Sequence, residues 1–403
     1  MVKEYLKPYS FMVSMACLCL ILAIAAVLLN RAFCIGALSG IIFLLFSFEK
    51  VAWSKKAAGF SLLFLLVAIA VVAIFLKSDS SLGRLLIYKI SWNMFSEHPV
   101  TGIGWGNFQR DYGLYQAAYF SAANYSQKEF LLAGNTYYAF NDYWEFIVET
   151  GVIGAVCLFT FLCFIVRLAY HRLHTTPKDG LLKLLLALLL VIGVAALFTH
   201  VFEHRPFKIV LVCILAYLGL SNQNFKIVAV LSITVAFTVF QYYFEIKNIS
   251  SYRKWEQGKI LSATGYVLEG REIYIELYPS FKNNISFLKD YNDALSGQDN
   301  LGKKIFLLKK ILSRNTHNIS YLNLAMVYEQ LGLKKEAELT YITSVNLVPN
   351  RFVPKEAIYN FYIKHKQYKQ AAHWRKIILT MPVKIPSERV EAIKQTVKNQ
   401  NKY

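Results

Sequence analysis

The sequence predicts an all-α protein in two parts: a polytopic transmembrane helical bundle of about seven spans, then a soluble α-solenoid of paired helices. Two observations carry this. Of 403 residues, 56% are hydrophobic and 17% charged, against about 25% charged in an ordinary soluble domain. The apolar excess sits almost wholly before residue 245, in runs near the roughly 17–25 residues that cross a bilayer as helix. After about residue 250 the composition turns soluble, and residues recur at the spacing of a helix–turn–helix repeat. The expected domains are 1–248, membrane-embedded with an outer loop at 77–146, and 249–403, the helical tail.

Spans are expected at about 9–29, 32–48, 58–76, 146–167, 181–200, 207–221 and 226–244; the second and sixth are short. The first follows lysines but has no clean small-residue cleavage site, so it reads as a retained helix. Lys3 and Lys7, then Lys50, Lys55 and Lys56, then Arg167, Arg172, Lys178 and Lys183, and finally Lys226 fall on one side if the N-terminus is cytoplasmic. The loop and the tail then lie outside. The six cysteines, Cys17, Cys19, Cys34, Cys157, Cys163 and Cys213, all fall in apolar spans, so neither loop nor tail has a disulfide framework. A formal charge of +19 in such a chain points to anionic headgroups or substrates, and no base-reading motif points to nucleic acid.

Arg31 opens the second span at the outer boundary. It reads either as an interfacial arginine snorkelling to headgroups or as a cation facing an outer cavity. After KSDSSLGR, the stretch RLLIYKISWNMFSEH patterns as a helix with Leu85, Ile87, Trp92 and Phe95 on its apolar face, suited to lying on a membrane surface. Pro99 and the glycines Gly102, Gly104 and Gly106 end it; without a βαβ unit around them they read as a turn. The stretch RDYGLYQAAYFSAANYSQKEF, rich in tyrosine and amides, fits either an interfacial aromatic belt or a sugar-stacking surface. Asn141, Glu145 and Glu149 share one helical face at the start of the fourth span. Glu149 lies inside the apolar run, where a carboxylate serves function or a structural ion pair with Arg84 or Arg31. His200, Glu203, His204, Arg205 and Lys208 form a short outer segment, a cavity wall or a headgroup anchor.

In the tail, Leu324, Ala325, Tyr328, Gly332, Ala337, Tyr341, Ser344 and Pro349 follow the tetratricopeptide spacing, with a weaker copy at Tyr362, Tyr368, Ala371 and Pro382. Degenerate helix pairs are expected at about 252–281 (Trp255, Gly265, Pro279) and 284–315. Such solenoids bind peptides or other chains, so a protein or peptide partner is expected there.

Several ordered pieces of the loop resemble the O-antigen ligase and O-antigen polymerase family of bacterial membrane glycosyltransferases. These are the boundary arginine in NRAFCIG, GRLLIYKISW, HPVTGIGWGNF and NDYWEFIVETGVIG. In the last piece Asn141, Gly151 and Gly154 fit the family's His-Asn-x9-Gly-x2-Gly pattern. The resemblance covers about residues 20–245. It implies transfer of a glycan from an undecaprenyl-pyrophosphate carrier to an acceptor hydroxyl at the periplasmic face of the inner membrane, without a metal or other cofactor. The acceptor would be lipid A core, a growing glycan or a protein. It also implies that Arg31 and Arg84 bind the pyrophosphate, as permanently charged bidentate donors can. The family's proposed base, a histidine, falls at Phe140, which cannot take a proton. His98, Glu145 and His204 are the substitutes, Glu145 first because it stands one turn from Asn141. Family members usually carry more spans, so a short form or a companion chain is expected. The alternative is an inactive membrane-anchored scaffold for cell-envelope glycan assembly; a solute transporter has little support, for no inverted repeat is visible.

Overall fold

The computed structural model describes residues 2–27, 30–47, 78–122, 124–220, 223–295 and 300–400. Among them the regular elements are all helical, as the composition predicts. The expected third span, 58–76, lies outside the described residues. The chain divides into two compact units. One comprises Met1–Arg84, His98–Gly102 and Tyr138–Phe244; the other comprises Leu85–Glu97, Ile103–Tyr137 and Glu245–Tyr403. The expected outer loop is thus shared out, its two ends with the apolar helices and its middle with the tail.

Within the first unit, Arg31–Ser47 packs along Gly180–Ala196, with Val2–Val27 beside them. Gly36 and Gly40, four positions apart, let the backbones close up: a Cβ on either would press on Val191 or Ala187. Small residues at this spacing are how helices pack where there is no water to expel. Leu18, Ala37, Ile41, Leu44, Ala187 and Val191 fill the seam. At one end two cations seal helix ends whose carbonyls lack partners. Arg172 donates to Leu218 O at 2.9 Å and Leu220 O at 2.7 Å, and the buried Lys183 donates to Ser47 O.

One helix among the described residues, Asp142–Thr175, is long and apolar enough to cross a membrane. Met12–Ile24, Arg31–Ser47 and Gly180–Ala196 are shorter apolar helices. The expected unbroken span at 146–167 needs correction, because the helix is interrupted at Gly151, with φ 66° and ψ −161°. Polar residues precede the break, and a stretch apolar but for Thr160 follows up to Val166. Val152, Val156, Phe159, Phe161, Phe164 and Val166 are all exposed. An exposed surface this apolar has the composition of a helix that crosses a membrane, while Ile165 on the same stretch is buried.

In the second unit, helices pair in succession. Asn318–Gln330 and Lys334–Leu347 form one pair, Phe352–Lys364 and Tyr368–Thr380 the next. Asn318 to Phe352, Lys334 to Tyr368 and Gly332 to Lys366 are each 34 positions apart. Ala325, Ala337, Tyr341, Phe361, Tyr362 and Ala371 make a shared core.

The middle of the loop packs on the helices of this unit, Phe130 against that core. Phe108–Ser121 lies on Lys334–Leu347, with Tyr112, Gln116 and Phe120 buried and Ala117 against Leu347 and Val348. Gln116 Nε2 donates to Gly134 O and Leu347 O. The buried Asn350 side chain donates to the carbonyls of Phe130, Leu131 and Ala133 at 2.9, 3.1 and 2.7 Å. Asn135 exchanges hydrogen bonds with the backbone N–H and side chain of Asn318. The tyrosine- and amide-rich stretch thus has an environment that neither of its two sequence readings contained: it packs on the tail. The helix Ser78–Glu97 also differs from expectation. Its buried face is Leu86, Ile87, Ile90, Ser91 and Met94, while Leu85 and Trp92 are 62% and 56% exposed. Both faces of this helix are apolar, so periodicity alone could not choose between them.

Candidate functional site

The site is built on a four-residue turn, Tyr138 to Asn141, ahead of the broken helix. Phe140 has φ 55°, a left-handed backbone that costs a bulky L-residue about 1–3 kcal/mol. Its neighbours hold it there. Glu145 Oε2 accepts from Ala139 N at 2.7 Å. Asn141 is the N-cap, its Oδ1 accepting from Tyr143 N at 3.1 Å and Trp144 N at 3.0 Å, which satisfies two of the helix's unpaired donors.

Asp142 ties this turn to the outer segment after the Gly180–Ala196 helix. Its Oδ2 accepts from Val201 N at 2.7 Å and Phe202 N at 3.1 Å. Tyr143 OH adds a bond to Gly193 O at 2.9 Å. The His200 ring therefore lies flat on Tyr138, centroids 4.2 Å apart and planes 8° apart, with Phe140 edge-on at 5.6 Å. His204 and then Phe207 continue the row, and Phe207 stacks on Phe33 at 5.1 Å.

Arg84 comes to this row. The Arg84 guanidinium stands over the Phe140 ring, 5.6 Å from its centre, a cation–π contact. Arg31 precedes Ala32, which packs with Ala195, Ala196 and Val201, and Phe33, which stacks on Phe207. Its Nη2 is buried without a hydrogen-bond partner among the described residues. A buried guanidinium N–H with nothing to donate to is costly, and an anionic oxygen would relieve it.

The break at Gly151 belongs to the same construction. Without i−4 partners, Val152 N and Ile153 N donate instead to Pro99 O at 2.8 Å and Val100 O at 3.3 Å. Gly102, at φ 67°, presses on the backbone of Glu149 and Thr150, and Gly151 on Val100 O; a side chain at either would collide. The glycine run is a turn, and it plugs the helix break.

Glu145 lies before the break, outside the apolar span. Burial, with the charges of Glu149, Asp142 and Glu203, pushes its carboxyl up to about 8 against the Ala139 N–H bond. Such a group exchanges a proton near neutral pH. Burial likewise moves Asp142 to about 6, opposed by the Phe202 and Val201 N–H bonds. Among the expected site residues, Arg84, Asn141 and Glu145 thus meet at one turn. His204 is exposed within the ring row, between His200 and Phe207, and His98 is exposed on the turn plugging the break, its carbonyl accepting from Gly102 N. The sequence reading passed over Asp142, which sets the outer segment in place, because its partners are backbone groups about sixty residues away.

Residues 15–159 match the family model described as O-antigen ligase. Arg31, Arg84, His98, Asn141 and Glu145 all lie within the matched stretch. No curated protein matches the chain.

Proposed function

We propose that this chain transfers a glycan from undecaprenyl-pyrophosphate to an acceptor hydroxyl at the periplasmic face of the bacterial inner membrane. The observation that carries this reading is the meeting of Arg84, Asn141 and Glu145 at one strained turn inside the stretch that matches the O-antigen ligase model. Arg31 and Arg84 hold the pyrophosphate. As the glycosyl bond breaks, negative charge grows on the leaving phosphate, and guanidinium groups already in place stabilise it. Glu145 takes the acceptor's proton when ionised, and Asn141 keeps the turn in shape. The topology proposed is about seven spans with the N-terminus cytoplasmic. The 34-residue helix pairs are read as tetratricopeptide-like repeats that anchor the loop's middle and offer their remaining surface to a partner.

A second reading is favoured by Phe140, a ring where the resembled family has its histidine: a scaffold that has lost chemistry. A deletion strain complemented with wild type, Arg84→Ala or Glu145→Gln separates the two, read on surface-glycan ladders and glycoprotein blots. Restoration by wild type but not by Arg84→Ala establishes the transferase. Full restoration by Arg84→Ala rejects it.

A further inference from the structure

The established contacts leave one polar group in the ring row without a task. His200 lies against Tyr138 and Phe140, and its Nδ1 is buried with no hydrogen-bond partner among the described residues. Phe140 is the shared neighbour: its ring centre is 5.6 Å from the His200 ring centre and 5.6 Å from the Arg84 guanidinium carbon.

The tautomer follows from the burial. A proton on Nδ1 would be a buried donor with no acceptor, which proteins avoid more strictly than a buried acceptor with no donor. The favourable form is neutral, with a lone pair on Nδ1 and the proton on Nε2. Charging the ring would place that unsatisfied N–H on Nδ1 again, with His204 5.6 Å away as a second imidazole. With Nδ1 sealed in the cluster, a hydrogen bond from the ring to a bound reactant falls to Nε2, which in this tautomer is a donor.

We infer that His200 is a positioning residue for the donor substrate, giving a neutral Nε2–H hydrogen bond to an anionic oxygen of the pyrophosphate beside Arg84. This rests on the transferase reading above. It assigns His200 no proton transfer. Asp142, holding the N–H groups of Val201 and Phe202, keeps the imidazole in place.

The test uses the full-length chain and three variants. Glutamine carries an N–H where Nε2 stands, asparagine carries one where Nδ1 stands, and phenylalanine keeps the ring contacts with no donor. Each is assayed for glycan transfer in the complemented deletion strain, and for binding of farnesyl pyrophosphate, a short polyprenyl pyrophosphate, by the purified protein in detergent. The expectation is that His200→Gln stays within about threefold of wild type. His200→Phe and His200→Asn should bind the probe about tenfold more weakly or worse, the loss of one hydrogen bond to a charged group, at unchanged melting temperature. If His200→Gln loses as much as His200→Phe, or if no variant changes binding, the donor role is overturned while an active wild type preserves the transferase. If wild type transfers no glycan, both fall together.

Discussion

Among the described residues, two that are not glycine hold a left-handed backbone: Phe140 at φ 55° and Lys366 at φ 57°. Their settings differ. Lys366 is exposed in the turn between Phe352–Lys364 and Tyr368–Thr380, and 34 positions earlier the matching turn has Gly332, φ 76°. There the strain serves chain reversal, and a glycine does the same job. Phe140 is fixed by Glu145 through Ala139, by the Asn141 cap, by Arg84 over its ring and by His200 at its edge. Equal backbone angles thus mark a replaceable turn in one unit and a built site in the other.

The sharpest way to break this contrast is to remove the cation. Arg84→Ala is expected to lower glycan transfer by at least about 100-fold with the protein still in the membrane; transfer near wild type would make the Phe140 turn as dispensable as the Lys366 one. Next in size is Gly151→Val, which sets a side chain against Val100 O and forces a left-handed angle on a β-branched residue. A loss of about 3–5 kcal/mol is expected, seen as a collapse of the detergent-solubilised melting temperature. In the tail unit, Asn350→Leu leaves three carbonyls without their donor and should cost about 2–3 kcal/mol, read as faster proteolysis between residues 105 and 135.

Smaller and more direct is the paired exchange. Lys366→Gly should raise stability by about 0.5–1 kcal/mol, the relief of strain less the entropy of glycine. Phe140→Gly should lower it, because the ring contacts go too. If both variants stabilise, the contacts around Phe140 hold nothing. The smallest effect concerns pH. His317 Nε2 faces Asn135 Nδ2 at 3.1 Å and Nδ1 accepts from Ile319 N at 3.2 Å. Burial, with Lys289 and Arg351, brings its pKa down to about 4. The unfolded chain, with an ordinary histidine near 6.5, then takes the proton first. The contribution is full above about pH 6.5 and fades as pH falls toward 4. Melting temperatures at pH 7 and pH 5 should differ less in His317→Asn than in wild type.

Part of the turn's surroundings was legible. Asn141 and Glu145 share a helical spacing, Arg84 was expected only from the family resemblance, and the structure brings all three to the turn around Phe140. What could not be read was Asp142, because a carboxylate bound to distant N–H groups has no local signature. His200 was legible only as part of an outer wall, since nothing in the sequence aligns its ring with Phe140. The Ser78–Glu97 helix misled in the same way: with Leu85 and Trp92 on one stripe and Leu86, Ile90 and Met94 on another, neighbours alone decide which stripe is buried.

By itself the sequence determined what local chemistry dictates: the helical character of the described elements, the apolar run of the fourth span, the face shared by Asn141 and Glu145, and the 34-residue period of the tail. These follow from side-chain spacing and backbone preference within a few turns of chain. Only the tertiary structure decided that the glycine run seats in the helix break, that Asp142 brings His200 to Phe140, and that the loop's tyrosines bury on the tail. Each depends on a backbone N–H or carbonyl finding its partner far along the chain, and backbone groups are the same in every sequence.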